Sequence, residues 1–208
     1  MRMALNLSII PVGDSKKWGD STRGILLSAF YWGYIITQVP GGWLSKKYGS
    51  KVVFGWGIAS ASLFTIVWPF TVFSFELSVF TRVLTGIGEG VTFPAVYHLI
   101  ALWYPKNEKS TITSICLVGP TFGTVIANGL SPILINHLRW ESIFFLGGGI
   151  GLLWSVLWLL LAIDHPSDKL STSIYLPSEE EINYIKSNQD RDGHHSSDVS
   201  LAKIFTEP

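Results

Sequence analysis

The stretch Val52–Phe73 reads VVFGWGIASASLFTIVWPFTVF and contains no charged residue. A helix needs about 20 mostly apolar residues to cross the ~30 Å hydrocarbon layer of a bilayer, so this stretch predicts a transmembrane helix. The run Met1–Val12 is too short to cross alone, and we expect it to be the second half of a span. Four further runs meet the length rule: Gly24–Ser45, Leu77–Leu102, Thr111–Ile135 and Ser142–Ile163.

The amino-acid composition is typical of a membrane protein. Hydrophobic residues make up 48% of the 208 residues and charged residues only 14%, whereas soluble domains carry about 25% charged residues. The net charge of zero gives no indication of a nucleic-acid partner. The sequence shows no metal-ligand cluster, nucleophile–base pair or phosphate-binding loop, so we predict neither an enzyme nor a bound metal or cofactor. The prediction is an all-α, multi-pass membrane protein.

The chain divides into two parts where the composition changes. Residues 1–163 form the predicted transmembrane bundle of six segments, the first of them incomplete. Residues 164–208 are polar and predict a loop, in which Ser178 and Glu181 have capping-box spacing and begin a surface helix that ends near Asn188. Five lysines in the loops on the side of this tail, against four basic residues on the other side, favour a cytoplasmic tail.

Two opposite charges lie inside the fourth segment. Arg82 and Glu89 are seven residues apart, which is about two helical turns and ~10 Å along one face. A charge at the centre of a bilayer costs at least ~2.5 kcal/mol on insertion scales, so such a residue faces a water-filled cavity or a partner. The pair therefore predicts a substrate pathway, and the alternative is a buried structural ion pair.

Small residues surround this pair. Gly86, Gly88 and Gly90 alternate along the helix and predict close approach of a neighbouring helix or of substrate, and Pro94 loosens the helix one turn later. In the second segment, Tyr34, Thr37 and Gln38 form a polar stripe that predicts a lining of the same cavity.

The fifth segment has its own set of small residues. Gly119, Gly123 and Gly129 predict close helix packing there rather than substrate binding.

Four stretches together resemble one transporter family. The chain is similar to the anion:cation symporter family of the major facilitator superfamily, which includes sialin, the vesicular glutamate transporters and the sodium/phosphate cotransporters. The stretches that carry the resemblance are Phe30–Gly42 (FYWGYIITQVPGG), Arg82–Ala95 (RVLTGIGEGVTFPA), Trp140–Phe145 (WESIFF) and Leu176–Ile185 (LPSEEEINYI).

The resemblance implies a fold and a set of roles. The fold would be the N-terminal six-helix bundle of the superfamily, with a truncated first helix and a pocket that faces a second bundle. The complete carrier would move small organic or inorganic anions with protons or sodium by alternating access. Arg2 and Arg82 would hold the anion, Tyr34 and Phe93 would line the pocket, and Glu89 would carry the coupling proton. The alternative is a truncated membrane protein that does not transport and acts only through helix association.

Three positions depart from the family pattern. Lys46 stands where the superfamily has an acidic residue in the loop between the second and third helices. Leu27 stands where vesicular glutamate transporters have a histidine, and Thr85 where sialin-like members carry an extra carboxylate. These departures leave the anion unassigned.

Overall fold

The computed structural model describes residues 2–164 and, beyond them, Ser178, Glu180, Tyr184 and Ser187. All regular secondary structure in this part of the chain is α-helical, which confirms the predicted fold class. The helices are α1 (Arg2–Lys16), α2 (Asp20–Tyr48), α3 (Ser50–Thr71), α4 (Phe75–Gly90), α5 (Thr92–Trp103), α6 (Lys106–His137) and α7 (Glu141–Leu161).

Four helical stretches within the described residues are long and apolar enough to cross a membrane. They are Ser50–Thr71, Phe75–Trp103, Lys106–His137 and Glu141–Leu161. Helix α2 is long enough, at 29 residues, but the polar side chains among its apolar residues lower its mean hydropathy. The protein is a multi-pass membrane protein, as its composition predicts.

The fourth predicted segment is two helices rather than one. Helix α4 ends at Gly90 and α5 begins at Thr92, with a turn at Val91 between them. The cause is Pro94, which has no N–H to donate to the carbonyl of Gly90, so the hydrogen-bond ladder is interrupted there. The predicted span Leu77–Leu102 corresponds to the apolar stretch Phe75–Trp103, and the loosening expected from Pro94 is a turn at Val91, two residues after Glu89.

Helix α4 lies unusually close to α2. A Cβ atom at Gly86 would collide with the carbonyl oxygen of Phe30, and one at Gly33 would collide with the carbonyl oxygen of Val83. On its other side, a Cβ at Gly88 would lie 2.8 Å from the carbonyl oxygen of Gly57 in α3. The alternating glycines thus bring two helix backbones against α4, as small residues do in membrane bundles.

The glycines of α6 do not follow this pattern. In the part of the chain that the structure describes, no atom other than the nearby backbone of α6 itself lies within 4 Å of a Cβ placed at Gly119, Gly123 or Gly129. Among the described residues no neighbouring helix packs closely at these glycines, because small residues permit a close approach without supplying the neighbour. No residue of the most apolar stretch of α6 is buried among the described residues.

A capping interaction closes one end of the bundle. Asp164, which follows α7, accepts a hydrogen bond at Oδ1 from the backbone N–H of Lys51 (3.1 Å), in the first turn of α3. The indole of Trp103 donates to the carbonyl of Asp164 (3.1 Å), and that of Trp158 donates to the carbonyl of Lys51 (3.1 Å). Gly49 has φ +88°, and a Cβ there would collide with the Asp164 carboxylate. A carboxylate that follows the end of α7 therefore satisfies one of the backbone amides that the start of α3 leaves open.

The predicted surface helix is described only in part. Glu180, Tyr184 and Ser187 are helical, and the Tyr184 hydroxyl donates to Glu108 Oε1 at the start of α6 (3.3 Å). The rest of Ser178–Asn188 lies outside the described residues.

Candidate functional site

A cavity of about 580 Å³ opens inside the bundle beside the break between α4 and α5. Six helices contribute to its wall: α1, α2, α3, the last turn of α4, α5 and α6. Its lining is largely apolar and aromatic, with few polar groups, which is typical of sites for small molecules. The lining includes Met3, Tyr34, Glu89, Phe93, Tyr97 and Cys116.

Glu89 is the acidic residue in this wall. It is partly exposed and stands two residues before the turn at Val91. The Thr92 hydroxyl donates to its backbone carbonyl (2.6 Å), which holds the start of α5 against the end of α4. The break caused by Pro94 thus places a carboxylate at a helix end beside open space rather than inside a packed helix.

Arg82 lies two turns earlier on α4 and is buried, with 1% of its surface exposed. Its guanidinium carbon lies 5.7 Å from the centroid of the Phe30 ring, a cation–π arrangement. Phe30 in turn stacks on Tyr34, with ring centroids 5.6 Å apart and planes 26° apart. Arg82 interacts electrostatically with Glu89. The arginine therefore lies behind an aromatic pair, and the outer member of that pair, Tyr34, lines the cavity.

The aromatic part of the wall comes from α5. Phe93 lines the cavity and stacks on Tyr97, with centroids 6.2 Å apart and planes 30° apart. The two residues are one helical turn apart, so their rings lie on the same face of α5.

The structure brings together three of the five predicted site residues directly. Tyr34, Glu89 and Phe93 share one cavity, and Arg82 contacts it through Phe30. Helix α1 begins at Arg2, but the position of the Arg2 side chain is outside what the structure describes. The neighbouring Met3 lines the cavity.

The three polar side chains of the α2 stripe have different surroundings. The Thr37 hydroxyl donates to the carbonyl of Gly33 (3.0 Å) and packs where a Cβ at Gly90 would stand. Gln38 is exposed and lies outside the cavity wall. Of the stripe, only Tyr34 faces the cavity, so the prediction of a shared lining is corrected for the other two residues.

Most of the lining residues were missed by the sequence analysis, among them Tyr97 and Cys116. Tyr97 follows Phe93 at the helical spacing of four, and this spacing is a signal that identifies it. Cys116 is in α6, which touches the rest of the bundle sparsely, and no local pattern in the sequence marks it.

Comparisons with known proteins agree with this architecture. Residues 1–189 match the model of the Major Facilitator Superfamily. The chain is 38% identical to sialin of Homo sapiens over 167 residues, which are 78% of this chain and 33% of that protein. It is 34% identical to the chloroplastic ascorbate transporter of Arabidopsis thaliana over 168 residues, 80% of this chain and 31% of that protein.

A third relative is similar to the chain at a comparable identity and coverage. The chain is 35% identical to vesicular glutamate transporter 1 of Bos taurus over 170 residues, 81% of this chain and 30% of that protein. The chain spans about a third of the length of the curated relatives that it matches. Because the family model matches residues 1–189, the chain belongs to the Major Facilitator Superfamily, a superfamily of membrane transporters rather than enzymes.

Proposed function

We propose that this chain forms the N-terminal half of a secondary active transporter that carries small organic or inorganic anions with protons or sodium by alternating access. The observation that supports the proposal most strongly is the position of Glu89 in the wall of a cavity within the membrane bundle, with the buried Arg82 two turns away on the same helix. Ionisable groups inside a membrane are costly, and they mark solute and ion pathways.

The names of two of the similar proteins support an anion as the solute. They are named as transporters of ascorbate and of glutamate, both anions at neutral pH. In this proposal the Arg82 guanidinium gives the cavity a positive potential, which is strong because little water separates the charge from the solute. The Tyr34 hydroxyl and the Phe93 ring then position the anion. Arg2 takes the role of a second cation through the family resemblance alone.

Glu89 is the coupling group in this scheme. A carboxylate beside a cavity takes up a proton or a sodium ion more readily once an anion has arrived, because the anion's negative charge disfavours a second bare charge nearby. Release of the anion reverses this effect. The same residue thus links occupation of the cavity by the anion to occupation by the cation.

We expect Glu89→Gln to abolish the stimulation of uptake by an inward cation gradient. The amide has nearly the shape of the carboxylate but neither titrates nor binds sodium with a charge. The measurement is uptake of a labelled anion into proteoliposomes that contain the full-length carrier, under a proton gradient and, separately, a sodium gradient. Exchange of anion for anion at equilibrium should persist, since it needs no net movement of the cation.

Glu108→Gln is the matched control for this experiment, because Glu108 lies in the first turn of α6 at the polar end of the bundle. It should retain the stimulation by the gradient. The role of Glu89 is contradicted if Glu89→Gln responds to both gradients as the unmodified carrier does.

We also expect a bound anion to protect Cys116 from thiol reagents. Cys116 lines the same cavity as Glu89, so an anion in the cavity blocks the approach of N-ethylmaleimide. At an anion concentration ten times its dissociation constant, the labelling rate should fall about tenfold. The experiment uses a carrier in which Cys116 is the only cysteine, with phosphate, glutamate, ascorbate and sialic acid tested in turn.

The control moves the thiol to the exposed start of α6. In the double variant Cys116→Ser, Ser110→Cys, the thiol should be labelled at the same rate with and without the anion. An anion that is transported yet leaves the labelling of Cys116 unchanged argues against this cavity as its binding site.

The alternative, helix association without transport, has one observation in its favour. The most apolar stretch of α6 has no buried residue among those described, so in the membrane it is covered either by lipid or by another protein segment. A second bundle of the same carrier covers such a surface equally well. Absence of uptake of every anion tested, by a folded full-length protein, would favour association.

A further inference from the structure

The cavity beside Glu89 has an aromatic wall on α5. Phe93 and Tyr97 line it with stacked rings, and Val96 lies between them in the sequence and lines it too. The volume of about 580 Å³ is in the range of about 300–1,000 Å³ that encloses organic ligands. Apolar surface that is removed from water stabilises a complex in proportion to its area. A solute with an apolar body therefore binds here more tightly than an inorganic anion, which covers none of this wall.

The wall on α6 is built from compact residues. Pro120, Gly123 and Ala127 recur at helical spacing and all line the cavity, so one face of α6 turns toward it. In the part of the chain that the structure describes, no atom other than the nearby backbone of α6 lies within 4 Å of a Cβ placed at Gly123. A larger side chain at this position would therefore extend into the cavity and reduce the space for a solute.

Two hydroxyl groups of the wall already have partners. The Thr92 hydroxyl donates to the carbonyl of Glu89 (2.6 Å), and the Thr124 hydroxyl donates to the carbonyl of Pro120 (2.8 Å). A polar group of a solute that loses water without gaining a hydrogen bond costs free energy. A solute with several hydroxyl groups is therefore a poorer match to the cavity than one with an apolar body.

The charge available to a solute is also limited. The described residues of the wall include no lysine or arginine, and the positive potential comes from Arg82, which is buried behind Phe30. A second negative charge on the solute would meet the Glu89 carboxylate. The cavity therefore suits an anion with a single negative charge.

We propose, as a refinement that rests on the function proposed above, that the cavity selects organic anions with one carboxylate and a flat, apolar body the size of a single ring. The carboxylate lies at the Tyr34 end, on the side of the buried Arg82. The ring stacks on Phe93, as aromatic rings do. It occupies the space that Gly123 and Ala127 leave open, so these two residues determine specificity through their small size.

The test compares anions that differ in the body and not in the carboxylate. The purified full-length carrier in detergent is titrated with the sodium salts of benzoate, acetate and quinate in an isothermal titration calorimeter. Quinate carries its carboxylate on a ring of similar size with four hydroxyl groups. We expect benzoate to bind at least about tenfold more tightly than either of the others, because burial of one ring is worth that factor.

Variants of α6 identify the wall that makes room for the ring. Gly123→Leu should weaken the binding of benzoate about tenfold and leave that of acetate unchanged, since acetate does not reach this part of the cavity. Ala127→Leu should act in the same way, and it replaces Gly123→Leu if that variant fails to fold. Gly129→Leu is the matched control, because this position is also open but lies outside the described wall of the cavity. It should bind both anions as the unmodified carrier does.

Equal affinities for benzoate and acetate, or quinate binding as tight as that of benzoate, would overturn the proposal. So would folded Gly123→Leu and Ala127→Leu variants that bind benzoate normally, or that lose benzoate and acetate alike. Uptake of acetate or phosphate under a cation gradient, without a preference for benzoate, would refute this selectivity and leave the proposed function standing. The expected preference in binding, without uptake of any anion, would support the selectivity and contradict transport.

Discussion

Arg82→Ala is expected to lower anion uptake by the full-length carrier about a hundredfold or more. Truncating one partner of a buried charge pair at a binding site costs about 2–5 kcal/mol or more of binding free energy, and each 1.4 kcal/mol corresponds to a factor of ten in binding. Arg82 is 1% exposed and lies behind Phe30, so neither water nor another described side chain on that face replaces its charge. The measurement is initial uptake into proteoliposomes at matched protein content.

Two control variants separate a role in binding from a role in folding. Arg82→Lys keeps the charge but loses the planar group that lies over Phe30, so we expect uptake to persist with a raised KM. Arg23→Ala removes an arginine in the first turn of α2 that pairs with Asp14 (2.6 Å), and it should leave uptake unchanged. Unaltered uptake in a folded Arg82→Ala carrier would remove this residue from the proposed site.

Gly86→Leu is expected to lower the free energy of unfolding by at least about 3 kcal/mol. The new side chain would meet the backbone carbonyl of Phe30, and a backbone cannot rotate away as a side chain can. Overpacking of a tight interior costs about 1–3 kcal/mol and sometimes more, and here two helices would have to separate. The measurement is unfolding of the purified protein in mixed detergent micelles by titration with a denaturing detergent.

Gly119→Leu is the matched control, since nothing lies within 4 Å of a Cβ at that position. A substitution on an open surface changes stability by no more than about 0.5 kcal/mol. If both leucine variants were equally stable, the close contact between α2 and α4 would not exist in the membrane.

Local sequence patterns predicted the spans better than their contacts. The absence of charges over Val52–Phe73 placed α3 within two residues of each of its ends, at Ser50 and Thr71, because burial in lipid constrains every residue of a span. Pro94 predicted that the fourth segment would be loosened, but it did not predict that the turn would lie at Val91. A missing N–H affects the residue four positions earlier, and several nearby positions can absorb that change.

The candidate site was predictable where the chemistry is local. An ionisable residue inside an apolar run can be recognised from the sequence alone, and Arg82 and Glu89 are such residues. The position of Phe30 between Arg82 and Tyr34 could not be predicted from the sequence, because it depends on the side-chain rotamers of two helices at once. Cys116 reaches the cavity only through the placement of α6, and nothing in its own neighbourhood encodes that placement.

The hydrogen bond from Lys51 to Asp164 joins residues 113 positions apart. Membrane proteins are inserted as they are made, from the N-terminus onward, so α3 enters the bilayer before the ribosome has reached Asp164. The backbone amide of Lys51, in the first turn of α3, therefore lacks this partner until α7 has been synthesised and has crossed the membrane. This hydrogen bond can therefore form only after α7 has been synthesised.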